Sequence, residues 1–285
     1  MFRLSLSFLL GAALVLAIAQ PATATDYNSL ILQKIFAMPA GGHYASYRKD
    51  LPEEKRFDDL YATVETLGEA LDVDRQGRLE VKPKRAYPGS FCSSATWLLF
   101  CDVIAELQRD GVVPADPRLS KELAAVGDKT EVIHGKLDGV GLFGHWNADG
   151  PGTAVLFHRL GLGRNFLGYE NVKPGDFLKI FWNEHIGKGE RGHLVVYLGE
   201  NESGDAIRVW SSNLENGDGS SGYGSMWVEK SRIHRALFSR LEHPENLVRW
   251  LDFSEAEKTS DYLVRIRQTG SNEAEMREVT GANGR

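Results

Sequence analysis

The run from Ser90 to Asp110 constrains this chain most. Ala95, Trp97 to Cys101, Val103 to Ala105 and Leu107 leave almost no polar stripe on a helix, and Gly111 supplies its stop. A helix that is apolar nearly all round has to be covered on every side, so the rest of the chain must supply its cover. At 285 residues it is long enough for one large domain or two small ones.

Upstream, Tyr27 to Met38 and Phe57 to Leu71 carry apolar residues at helical spacing, which predicts a helical region over 25–88, broken by the charged, proline-containing stretch Asp72–Pro88. Downstream, Val112–Gly168 is rich in Gly, His and Pro and holds one short helical pattern at Thr153–Leu160. Four strand patterns follow, at Asp176–Trp182, His193–Leu198, Ala206–Trp210 and Ser225–Glu229, separated by Gly-, Asn- and Lys-rich turns. Helices first and antiparallel strands second predict an α+β arrangement, with the buried helix packed on an antiparallel sheet or small barrel. A C-terminal region over 241–285 ends in polar sequence, expected as a helix followed by a mobile tail.

Composition narrows the class of partner. At 42% hydrophobic and 25% charged the chain is globular in type, and a formal charge of −6 gives it no basic footprint for nucleic acid. Residues 1–24 carry one basic residue, Arg3, then an apolar run from Phe8 to Ala19 and the ending Ala22-Thr23-Ala24. That pattern predicts a secretory signal cut before Thr25, a secreted or periplasmic protein, and no integral membrane segment in the mature chain. Oligomeric state is not legible.

Cys92 and Cys101 fall nine residues apart in the predicted helix, about 13 Å along the axis and on opposite faces, too far for a disulfide. Cys101 lies in the apolar run and reads as a small core residue. Cys92 falls in the first turn, where unpaired N–H groups and the helix dipole favour a thiolate and could hold an oxyanion. A nucleophile of this kind needs a base within hydrogen-bond reach and a polar group to orient that base. His193 opens a predicted strand in Arg191-Gly192-His193-Leu194-Val195-Val196, and Ser211 and Asn213 point to one side of the next strand. The other histidines carry no metal motif, and no cofactor is implied. A metal-dependent hydrolase would have to use His134, His145, His158 or His185.

Pro174-Gly175-Asp176, Gly192-His193-Leu194-Val195-Val196 and the later Ser211-x-Asn213 pair, with a cysteine at a helix start upstream, resemble the CHAP and NlpC-type branches of the papain-like cysteine hydrolases. The resemblance covers mainly Ser90–Cys101 and Lys173–Asn213. It implies a papain-like domain over 89–240 with an insertion at 112–168. It further implies Cys92 as nucleophile, His193 as base, Asn213 or Ser211 as the orienting residue, and amide bonds of peptidoglycan peptides as substrate. No glutamine stands just before Cys92 to complete an oxyanion hole. Trp146, Asn147, Asp149 and Trp182 are candidate cleft residues, with Ser211 beside them. The alternative is an inert papain-like module that binds cell-wall or peptide ligands.

Overall fold

The computed structural model describes residues 26–282 apart from 135 and 136; the expected signal at 1–24 lies outside the described residues. The N-terminal part contains α1 (Tyr27–Ile35), β1 (His43–Tyr44), α2 (Asp58–Glu69), the hairpin β2 (Leu71–Val73) and β3 (Leu79–Val81), β4 (Gly89–Ser90) and α3 (Cys92–Arg109). Next come α4 (Pro117–Ala124), α5 (Lys129–His134), α6 (Gly141–Asn147) and α7 (Gly152–Leu160). The strands β5 (Gly163–Leu167), β6 (Phe177–Phe181), β7 (Gly192–Glu200), β8 (Ala206–Asn213), β9 (Gly222–Glu229) and β10 (Arg235–Leu241) follow, and α8 (Asp261–Thr269) and α9 (Glu273–Thr280) close the chain.

Helix α3 is buried at every residue from Ser93 to Ala105, as its all-round apolar surface requires. Several of its polar side chains are paired, although Trp97 Nε1 has no hydrogen-bond partner among the described residues. Gln108 accepts from the Leu79 N–H (2.7 Å) and donates to Ser120 Oγ (3.1 Å), while Asp102 faces Lys34 Nζ at 3.4 Å. Its cover comes from both flanks. The 112–168 segment sends in Phe143, Trp146 and Phe157, and the ring of Trp146 packs 5.3 Å from Trp97, 4.8 Å from Phe100 and 5.0 Å from Phe177. Such aromatic pairs prefer these tilted and edge-on geometries.

The sheet has the order β5-β10-β6-β7-β8-β9, all neighbours antiparallel. Strand alternation divides its side chains. Phe177, Leu194, Val196 and Trp210 join the α3 core, whereas Leu178, Ile180, Val195, Tyr197 and Val209 form a second cluster with Phe166 and Phe238. The arrangement is α+β.

Three local expectations change. The 25–88 region holds the β2–β3 strand pair and the strand β1 as well as helices, and the hairpin forms because Asp74 accepts from the Gln76 and Arg78 N–H groups and folds the charged stretch. The sheet gains β5 and β10, whose arginines, with Asn165 and Ser239, mask the alternation in sequence. The end of the chain, expected as a mobile tail, forms α9: Asn272 caps it by accepting from the Glu275 N–H, and Met276 is fully buried against Val155 and Leu263. Among the described residues, no helix is long and apolar enough to cross a membrane.

Candidate active site

The first turn of α3 is held from three directions. Ser94 Oγ accepts from the Phe91 N–H (2.9 Å), closing the helix start. Ser90 Oγ donates to Ser212 Oγ (2.8 Å) and Ser212 Oγ donates to Ser90 O (2.9 Å), tying the residues before Cys92 to β8. The short parallel pairing of β1 with β4 sets Tyr44 beside Ser90, two residues before Cys92. The half-buried Cys92 thiol is thereby presented at the mouth of a cleft.

His193 reaches that thiol from β7. The β7–β8 register, which pairs Val196 with Trp210, places Asn213 across from His193. Asn213 Oδ1 lies 2.9 Å from His193 Nε2. The amide cannot turn over, because Asn213 Nδ2 donates to Asn216 Oδ1 (2.8 Å) and to Gly224 O (3.1 Å). Oδ1 therefore faces the ring as an acceptor, which requires a proton on Nε2 and leaves Nδ1 for the cysteine. Gly224 makes room for this arrangement, since a Cβ there would stand 2.4 Å from Asn216 Cγ.

Electrostatics follow from these contacts. Burial works against ionising Cys92, but the hydrogen bond and charge of His193, the Leu194 N–H and the Lys179 ammonium outweigh it and bring the thiol down to about 7. Burial also works against protonating His193, and the hydrogen bonds to Cys92 and Asn213 overcome it, so the imidazole is held above its ordinary value. The two shifts favour a thiolate–imidazolium pair. By contrast, burial pushes the Cys101 thiol well up, as befits a core residue.

Tyr44 was not legible as a site residue. Its hydroxyl is hydrogen-bonded to Cys92, and the nearby thiolate charge, with burial, raises its pKa far above a free phenol. No local pattern marks it, because the β1–β4 pairing that brings it there spans some forty residues of intervening chain. Tyr44 OH and the Leu194 N–H donate beside the sulfur, and the Cys92 N–H is a first-turn donor with no intrahelical acceptor.

The other expected residues divide. Trp146, Asn147 and Asp149 line the cleft with Ser93 and Lys179, although Trp146 is 2% exposed and spends its Nε1–H on Thr96 Oγ1 at 3.0 Å, as a core residue does. Trp182 packs instead against the cluster on the far face of the sheet. Ser211 is fully buried and its Oγ donates to Leu194 O (2.7 Å) and to Cys92 O (3.4 Å), so it ties β8 to β7 and to the start of α3 and is not among the residues that line the cleft. His145 is also fully buried. It sits between Gly141 O and the Arg159 guanidinium, and burial lowers it to about 4. Among the described residues, no group of three or more His, Cys, Asp or Glu side chains could hold a metal ion. His134's side chain lies outside the described residues.

No family, no curated protein and no solved structure matches this chain.

Proposed function

We propose that this protein is a cysteine hydrolase of amide bonds with a papain-like catalytic core. The observation that carries the reading is the chain of contacts Asn213–His193–Cys92, ending on a half-buried thiol lowered to about 7 at a cleft. Structural cysteines have no use for such a chain; nucleophiles do.

His193 holds the Cys92 proton, and the thiolate attacks the substrate carbonyl carbon. A C–S bond forms, and the carbonyl oxygen takes the charge between the Cys92 N–H and Tyr44 OH. Collapse of this tetrahedral adduct breaks the C–N bond as the imidazolium returns its proton to the departing amine. Water then attacks the thioester with His193 as base, releasing a carboxylic acid and the free thiol. The motif resemblance points to peptidoglycan peptides as substrate, and the apolar N-terminal run Phe8–Ala19 supports action in a secreted or periplasmic setting.

The test is the rate of Cys92 alkylation by iodoacetamide against pH, followed by peptide mass spectrometry and compared with His193→Ala. Rapid reaction already near neutrality in the parent, slowed in the variant, is expected, together with release of new amines from peptidoglycan fragments that Cys92→Ala abolishes. A thiol that reacts only above about pH 8, as an unperturbed one does, would overturn the hydrolase reading and leave a binding module.

A further inference from the structure

Tyr44, the side-chain donor for the carbonyl oxygen in the acyl-transfer steps, sits on a strand with little hold of its own. β1 is two residues long, and its pairing with β4 rests on the His43 N–H to Pro88 O (3.0 Å) and the Ala45 N–H to Ser90 O (2.8 Å). Before it, Gly41 exchanges backbone hydrogen bonds with Tyr223 on β9 (2.8 and 2.9 Å). A group that must meet a developing charge has to be held within about half an ångström of its place by a supporting shell. Two strand bonds do not supply that shell.

The further support comes from α2. Asp59 stands in the first turn of that helix, where an acid ordinarily serves its own helix's unpaired N–H groups. Here both oxygens reach out of the helix instead. Oδ2 accepts from the Ser46 N–H (3.2 Å), and Oδ1 is hydrogen-bonded to His43 Nε2. The carboxylate therefore grips the chain one residue before Tyr44 and two residues after it. α2 also fixes the partner strand, because Gly89 of β4 packs against Thr63 and His43; a Cβ there would stand 2.7 Å from Thr63 Oγ1 and 3.3 Å from His43 Nε2. One helix thus holds both the strand that carries Tyr44 and the strand that leads into Cys92.

Folding stability is a poor account of these contacts. The His43 and Asp59 side chains are 45% and 26% exposed, and an ion pair that open to water adds little to stability. What the contacts do restrict is the path of residues 43–46 past the thiol. We propose that Asp59 is a positioning residue: by holding His43 and Ser46 it fixes the Tyr44 hydroxyl where it meets the Cys92 sulfur and, in turnover, the carbonyl oxygen of the substrate. The carboxylate acts through the phenol. This inference rests on the hydrolase reading for its effect on turnover, but not for the contact between Tyr44 and Cys92.

Two readouts test it in the full chain. With isotope-labelled tyrosine rings, the Tyr44 NMR signal, assigned by its absence from Tyr44→Phe, should step as the neighbouring thiol ionises, at about pH 7 in the parent. Asp59→Ala should lose most of that step while Cys92 still reacts with iodoacetamide near neutrality, since His193, Leu194 and Lys179 are untouched. In hydrolysis, Asp59→Ala is expected to lower kcat by about 10²-fold, the scale of an ångström's misplacement, with little change in KM. It should cost nothing further in the Tyr44→Phe background, because the two act as one unit. Asp59→Asn can still accept from the Ser46 N–H and donate to the other tautomer of His43, so it should retain most of the step and of kcat. A full step or parent kcat in Asp59→Ala, or losses that multiply with those of Tyr44→Phe, would overturn the positioning role. No hydrolysis by the parent, or a step only above about pH 8, would overturn the hydrolase reading instead, and the size of the step in Asp59→Ala would still decide the role of Asp59.

Discussion

His193 is fixed in one tautomer by the buried Asn213. Asn213 is held by Asn216 and Gly224 so that its oxygen faces Nε2, and that bond also helps to keep the imidazolium protonated. The reactive ion pair exists above the thiol's value of about 7 and below that of the imidazolium. Asn213→Ala removes a contact that raises His193, so the imidazolium loses its proton at lower pH. The alkaline limb of the kcat/KM profile is expected to move toward neutrality, and an unmoved limb would show that Asn213 does not set the proton. Tyr44 is also hydrogen-bonded to Cys92. Tyr44→Phe keeps the ring and deletes the donor, with an expected loss of roughly 10²–10³ in kcat and little change in KM; equal turnover by the two proteins would remove Tyr44 from the oxyanion site.

Individual elements owe their places to packing partners distant in sequence. The 112–168 segment, expected as an insertion, provides the aromatic cover of α3 through Trp146 and Phe157, gives the sheet its edge strand β5, and turns the start of α7 toward the cleft. It is as much a part of the core as the helix it covers. The α9 helix shows the same dependence. Its sequence is polar apart from a few positions, yet Met276 closes the cluster formed by Val155, Leu263 and Ile266, and Asn165 Nδ2 donates to Thr280 O at 2.7 Å. Met276→Ala should cost about 2–5 kcal/mol in urea unfolding, the range for emptying a buried methionine site. A loss no larger than that of a surface substitution would mean that α9 contributes little to the fold.

Across the whole molecule, the Pro174-Gly175-Asp176 turn is a structural junction. Asp176 is fully buried and accepts from Arg240 Nε (2.7 Å) and Nη2 (2.6 Å) on β10, from Asn28 Nδ2 (2.8 Å) on α1 and from the Lys173 N–H (2.8 Å). Gly175 adopts φ +96°, and a Cβ there would stand 2.7 Å from Asn28, so the turn needs glycine to approach α1. Asp176→Ala leaves the Arg240 guanidinium buried without its counter-charge and should destabilise the protein by about 3–5 kcal/mol. A Tm within a degree or two of the parent would contradict that role. The apolar run of α3, the placement of Cys92 in its first turn, and the period-two strands carrying His193 and Asn213 were legible in the sequence, because each is a local pattern of side chains repeated at the period of its own element. The β5 and β10 strands, the α9 helix, the interior position of Ser211 and the remoteness of Trp182 were not, because polar residues hid the periodicity or because burial depended on a distant partner. Tyr44 and Lys179 belong to the same group. The sequence by itself determined the apolar helix with Cys92 in its first turn and the strands that carry His193 and Asn213; only the tertiary structure decided which donors and charges surround the thiol, since those arrive through long-range pairing that no local period records.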